Sequence, residues 1–449
     1  MKPNILLYFS DQQRSDTIGA YGQPLDITPN LDKLAYDGVL FEQAYTAQPV
    51  CGPCRAIFQS GQWPTTTGCF RNNIMLPTNI KTLANYMEEA GYENAYVGKW
   101  HLASSGDLAG NHTINNETTA IPKKYRGGYN GFWRVADTLE KTSHGYDGYV
   151  FDENNNKIEF KGYRVDKIVD FGLEFLDKYN KEKPFFLTIS MIEPHHQNDH
   201  NHHEGPKGSK ERWKNFELPH DLKVLGGNSK KEYPDYLGAC KSIDDNLGRI
   251  LEKLKEIGEL ENTVIIFISD HGSHFYTRNQ NNPYGIDDYK RSAHASASKV
   301  PLIFYGPGFK GGKRIRQIVS TSSLTKTIIS IAGNNADELI GEDLTIFGKE
   351  DEENIKRDNL AFIQISESKV GRAIRTPEFL YAVKSPDTNF QDNMDSDIYV
   401  DDFLYDLKLD PFELNNIVFN PKYEKDKLNL RKLLIKEIEK AENKTPKIY

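Results

Sequence analysis

Short apolar, often β-branched runs alternate with longer amphipathic stretches along most of the chain. Residues 5–9, 92–97, 184–191 (PFFLTISM), 263–269 (TVIIFIS) and 300–305 (VPLIFY) are near-continuous apolar runs, the pattern of strands covered on both faces. Helical spacing falls between them: Leu83 and Met87 within 80–90, the stretch 163–176, and Leu247, Ile250, Leu251 and Leu254 within 236–257. This alternation predicts a mostly parallel sheet with helices on both faces. From about Gly341 the pattern changes. Charged residues fill 348–357, strand-like pieces follow at 360–365 and 379–384, and a Lys/Glu-rich amphipathic stretch over 425–442 predicts a closing helix. The chain thus reads as a large α/β domain over 1–340 and a smaller α+β subdomain over 341–449, since 449 residues exceed what one core organises.

Composition narrows the classes. Hydrophobic residues at 38% and charged residues at 27% are ordinary for a soluble enzyme, and a net charge of −8 leaves no broad basic surface for nucleic acid. No stretch approaches the roughly 20 apolar residues that span a bilayer. The apolar run 5–9 falls short of the ~7–15-residue core of a secretory signal, so it reads as a buried first strand and the chain as cytoplasmic. The cysteines are Cys51, Cys54, Cys69 and Cys240, too few in so long a chain for a disulfide scaffold. Cys51 and Cys54 form a C-x-x-C, which raises redox chemistry or half a zinc site. Neither Cys69 nor Cys240 completes a second pair.

In open α/β sheets ligands bind beyond the carboxyl ends of the strands. Asp11 and Gln12 follow the first run, Lys99 and His101 the second, His195 the third, and Asp270 and His271 the fourth. Singly each has a plain structural role: Asp11 a helix cap, Lys99 a surface charge, His101 a hydrogen-bonded polar residue. Together they form a set. Asp11, Gln12, Asp270 and His271 offer mainly oxygen ligands, which suits a hard divalent ion such as Ca²⁺. Lys99 with two histidines suits an anionic group that needs charge neutralisation and proton transfer. The His-rich stretch 195–203 reads as a polar surface loop, a substrate-subsite insertion or a second metal site.

The motifs resemble those of the type I sulfatases. Cys51-Gly52-Pro53-Cys54-Arg55, running on to Gly61, is similar to the signature C-x-P-S-R-x-x-x-x-T-G, with Cys54 in place of Ser and Ser60 in place of Thr. The likeness continues through 28–35 (TPNLDKLA), 98–102 (GKWHL), Pro194-His195 and 269–272 (SDHG). It extends to Lys290, nine residues before Lys299-Val300-Pro301, to 372–376 (RAIRT), and to Tyr405-Asp406-Leu407 with Asp410, Pro411, Glu413 and Asn416.

The resemblance implies an alkaline-phosphatase-like fold: a large mixed sheet sandwiched by helices, and a C-terminal α+β subdomain with a small antiparallel sheet and a terminal helix. It implies that a maturation enzyme oxidises Cys51 to formylglycine. The hydrate of that aldehyde then attacks the sulfur of a sulfate ester and forms a sulfo-enzyme intermediate. One Ca²⁺ is implied, held by Asp11, Gln12, Cys51, Asp270 and His271, although Asp is commoner than Gln12 and Asn commoner than His271. Arg55 is expected to hold the nucleophile, Lys99 and Lys290 the sulfate oxygens, and His101 to take the proton that triggers sulfate release. His195 is expected to protonate the leaving alcohol, with Asn72 and His196 binding substrate. Residues 195–203 and 276–288 are expected to set specificity. Their Asn, Gln, Asp, Tyr and His content points to a sulfated sugar before an aryl sulfate or choline sulfate. Three other readings stay open: a phosphonate monoester hydrolase or phosphodiesterase of the same superfamily, against which Lys99 and His101 speak; a non-catalytic sulfatase-like binding protein; and a zinc module built on the C-x-x-C and the His-rich loop.

Overall fold

The computed structural model describes residues 2–278 and 289–449. Among them is a twelve-stranded sheet whose centre runs Thr263–Ser269, Asn4–Ser10, Phe185–Ser190, Glu93–Lys99 and Phe132–Ala136, all parallel. The flanks are different. Leu302–Tyr305 runs antiparallel to Thr263–Ser269, and Asp147–Phe151 antiparallel to Phe132–Ala136. The sheet is therefore mixed, and the expectation of a mostly parallel sheet holds only for its centre. Parallel neighbours need a long crossover. An antiparallel pair such as Thr263–Ser269 with Leu302–Tyr305 needs none. Pro301, which lacks an N–H, divides the apolar run 300–305 into Lys299–Val300 and Leu302–Tyr305.

Strand alternation feeds two cores. Ile5, Leu7 and Phe9 pack on one face with Ala56, Phe58, Leu83, Met87 and Ile328, which come from the helices Cys51–Ser60, Leu83–Glu89 and Leu324–Ile331. Leu6 and Tyr8 face the other way, against Ile168, Val169, Ile243, Leu247, Ile250 and Leu254 of the helices Arg164–Lys178 and Ser229–Glu256. The second of these starts at Ser229, ahead of its apolar stripe, and contains Pro234.

The strands Ala361–Ile365, Gly371–Arg375, Phe379–Lys384 and Ile398–Asp406 form an antiparallel sheet, extended by Lys447–Ile448. Leu430, Leu434 and Ile438 of the helix Glu424–Glu442 cover it. The Gln364 N–H donates to the Ala47 carbonyl at 2.8 Å. This bond ties the first strand of the small sheet to the segment leading into Cys51.

Candidate active site

Four adjacent parallel strands end at one edge. The register sets Ser10 beside Ser269, Phe9 beside Ser190, and Ser190 beside Gly98. The residues that follow, Asp270-His271, Asp11-Gln12, His195 and Lys99 to His101, therefore emerge side by side. The helix Cys51–Ser60 aims its N-terminus at the same edge, with Cys51 as its first residue. Asn72 Oδ1 accepts the Gly52 N–H at 2.9 Å, and a Cβ on Gly52 would lie 2.9 Å from that oxygen and displace the Asn72 side chain.

Asp11 is the electrostatic centre. Its Oδ2 accepts from Lys99 Nζ at 2.8 Å and from Arg55 Nη2 at 3.0 Å, and all three side chains are buried. Arg55 also donates to the Lys99 carbonyl at 2.9 Å and to Ser190 Oγ at 2.8 Å, and lies 4.5 Å over the Phe9 ring. Burial alone would raise the Asp11 carboxyl, but the cations Lys99 and Arg55 outweigh it and hold it well below the usual range.

Asp11, Cys51, Asp270 and His271 are buried and offer donor atoms within 4.8 Å of one another. His271 Nδ1 donates to the Gly272 carbonyl at 2.9 Å, which leaves the lone pair on Nε2. That Nε2 lies 3.2 Å from Cys51 Sγ and 3.7 Å from both Asp11 Oδ1 and Asp270 Oδ1. Donors so spaced can share an ion at metal–oxygen distances of about 2.3–2.6 Å. Asp270 Oδ2 is buried without a hydrogen-bond partner among the described residues, so the donor set fits a cation. Gln12 joins through its backbone: its N–H donates to Asp270 Oδ1 at 3.0 Å, while its side-chain oxygen accepts the His196 N–H at 3.1 Å. Burial, then Asp11, raises the Asp270 carboxyl to about 7. An ion must displace that proton. Divalent-cation affinity of the ion-free protein is therefore expected to rise roughly tenfold per pH unit up to about pH 7 and then level off. Calorimetric titration across that range checks this, and a flat profile would contradict it.

Lys290 Nζ lies 3.1 Å from Cys51 Sγ and 2.8 Å from His195 Nε2. His195 Nδ1 faces the His196 carbonyl at 2.5 Å and donates to it, so Nε2 is the acceptor for Lys290. Burial, then Lys290, holds His195 neutral, and burial, then Lys99, does the same for His101. Cys51, Asn72, Lys99, His101, His195 and Lys290 line one cleft of about 550 Å³. The His196 ring does not line it. It packs 4.5 Å from Tyr289 and 5.3 Å from His203, and Asn198 takes the place expected of it at the cleft wall. A larger cavity of about 640 Å³ opens around Lys299 and Arg375, but none of these cleft residues borders it, so size does not mark the reactive site.

Sequence reasoning missed Glu367, Arg291 and Asp137. Glu367, from the small sheet, accepts the Asn72 N–H at 2.5 Å and both Nε and Nη2 of Arg291 at 2.6 Å. Asp137 accepts the Leu102 and Ala103 N–H groups at 3.0 Å and fixes the turn that presents His101. Gln12, His101, Arg291 and Glu367 all have positive φ, at 66, 61, 73 and 63°, a conformation costly outside glycine that gathers here at the site. Glu367→Ala removes one partner of a buried pair, so a stability loss of about 3–5 kcal/mol is expected in denaturant unfolding. An unchanged midpoint would refute this reading of the pair.

The family model described as Sulfatase matches residues 3–334, and the chain belongs to the sulfatase family, the hydrolases of sulfate esters. An ulvan-active sulfatase of Formosa agariphila is 28% identical over an alignment 444 positions long that covers 94% of this chain and 78% of that protein. Among solved structures, a complex with its substrate D-glucosamine-2-N,6-O-disulfate has a TM-score of 0.74 at 21% identity, covering 99% of this chain and 98% of the other. The phosphonate monoester hydrolase of Agrobacterium radiobacter has 0.72 at 20% identity, covering 98% and 96%. At such identities these two structures speak for the shared fold alone. Among the described residues no helix is long and apolar enough to cross a membrane.

Proposed function

We propose that this sulfatase releases sulfate from a sulfated carbohydrate, with Cys51 matured to formylglycine by a maturation enzyme and one Ca²⁺ held by Asp11, Asp270, His271 and the modified residue, Gln12 lying beside them. The observation that carries this reading is the convergence on Cys51 Sγ of Asp11 at 3.4 Å, His271 at 3.2 Å and Lys290 at 3.1 Å. The sugar preference is supported by the cleft, whose walls add Asn73, Asn115, Asn198, Glu117 and Glu140, groups that bind hydroxyls. It is supported further by a relative described as an ulvan-active sulfatase.

When bound, a calcium ion would supply Lewis acidity, and the hydrate of formylglycine would supply one hydroxyl for attack and a second whose deprotonation lets sulfate leave with the first oxygen as the aldehyde re-forms. The chain's own residues do the rest. Arg55 and Lys99 balance the charge at Asp11, and Lys99 and Lys290 take up the sulfate oxygens. Lys290 and His195 share a proton across 2.8 Å, and that pair protonates the leaving alcohol. His101, held neutral, is ready as the base for sulfate release. We further propose two units, 1–340 and 341–449, the second supplying Glu367 to the cleft.

His195→Ala separates these roles. An alkoxide needs a proton to leave, whereas a phenolate does not. Sulfate release from sugar sulfates is therefore expected to fall about 10²–10⁴-fold, and from an activated aryl sulfate far less. Equal losses on both substrates would remove His195 as the acid.

A further inference from the structure

The His-rich segment holds a second cluster away from Cys51. His200, His202 and Glu204 bring one donor atom each within 4.8 Å of one another, and His144 and Asp199 form an overlapping group around the same His200. Contacts outside the cluster orient its members. Glu204 Oε2 accepts the Gly145 N–H at 2.7 Å, and Tyr163 Oη donates to the Glu204 carbonyl at 2.8 Å. This turns Oε1 toward His200 Nδ1 at 2.5 Å. A Cβ on Gly145 would lie 3.2 Å from Oε2, a tight contact that would push the carboxylate outward by a few tenths of an ångström. His202 Nδ1 faces the His203 carbonyl at 2.9 Å and donates to it, which keeps the lone pair on Nε2. Asp199 accepts from Gln197 Nε2 at 2.7 Å and meets His144 Nε2 at 2.9 Å.

An imidazole oriented through its second nitrogen, as in His202, and a carboxylate pinned by a backbone amide, as in Glu204, belong to the outer-layer pattern of transition-metal sites. Two nitrogen donors and one oxygen suit zinc and its neighbours, whereas calcium takes oxygen ligands. We propose that His200, His202 and Glu204 bind a zinc-type divalent ion, separate from the catalytic cation, in place of the proton between His200 Nδ1 and Glu204 Oε1. The ion would brace the segment that presents Asn198 to the cleft, because the Gln197 N–H donates to the His202 carbonyl at 3.0 Å and Glu140 accepts the Asn198 N–H at 2.6 Å.

The test is calorimetric titration of zinc chloride into tag-free, chelator-washed protein reloaded with calcium. One equivalent of zinc is expected. His200→Ala and His202→Ala should each weaken it by more than about tenfold and Glu204→Gln by about tenfold, with calcium binding retained. Zinc binding that survives His200→Ala and Glu204→Gln overturns the proposal. So does binding that is lost in Asp270→Asn, which would place the zinc at the catalytic group.

Discussion

Cys51→Ala is expected to abolish turnover, lowering sulfate release by about 10⁴-fold or more, because a nucleophile and its acid–base partners act as one unit. The variant should fold normally. Alanine is the best helix former, and the position opens the helix Cys51–Ser60. Only the thiol contacts to Asp11, His271 and Lys290 are lost. The unmodified thiol is a poor substitute nucleophile, since burial, then Asp11, pushes it up to about 12 and leaves it protonated at neutral pH. Sulfate release from Cys51→Ala, measured beside its melting temperature, checks this. Activity within tenfold of the parent would exclude Cys51 from the chemistry.

The second large effect is expected for Asp11→Asn. Asp11 pairs with Arg55 and Lys99 at 3.0 and 2.8 Å, and all three groups are out of solvent. The substitution leaves two buried cations without their shared carboxylate and removes a donor from the cation group. Stability of the ion-free protein should fall by about 3–5 kcal/mol. Activity should fall by about 10³-fold or more, as expected when electrostatic stabilisation and ion binding are lost together. The pH dependence fixes the sign. The Asp11 carboxyl is held low in the fold, so its stabilisation is fully present above an unfolded pKa of about 3.9 and is lost as pH falls through the lower folded value. The gap between parent and Asp11→Asn should therefore hold steady above about pH 7, where Asp270 is ionised as well, and close in strong acid. Denaturant unfolding above about pH 7 and in strong acid measures it, and a gap that persists undiminished in strong acid would contradict the pairing.

Much of this geometry was legible because continuous apolar runs mark central parallel strands, and polar residues just past such strands must share an edge. Asp11, Lys99, His101, His195, Asp270 and His271 meet for that reason. Cys51, Asn72 and Lys290 needed the family resemblance, since no periodicity places them. The antiparallel flanks were hidden because an apolar run does not encode its direction. The sequence does not separate His195 from its neighbour His196, which it offers as a substrate-binding residue. The His195 ring faces Lys290 and the cleft, whereas the His196 ring turns to Tyr289 and His203. Glu367 carried no signal in the sequence, because its place at the cleft depends on how the small sheet docks beside Ala47. Of the expected specificity stretch 276–288, residues 279–288 lie outside the described residues.

The most direct measurement is the mass of the peptide containing Cys51, from protein made with a sulfatase-maturation enzyme and assayed for calcium-dependent sulfate release. The account predicts a peptide whose CH₂SH side chain has become CHO, with turnover proportional to the converted fraction. An unmodified thiol in fully active protein would contradict it.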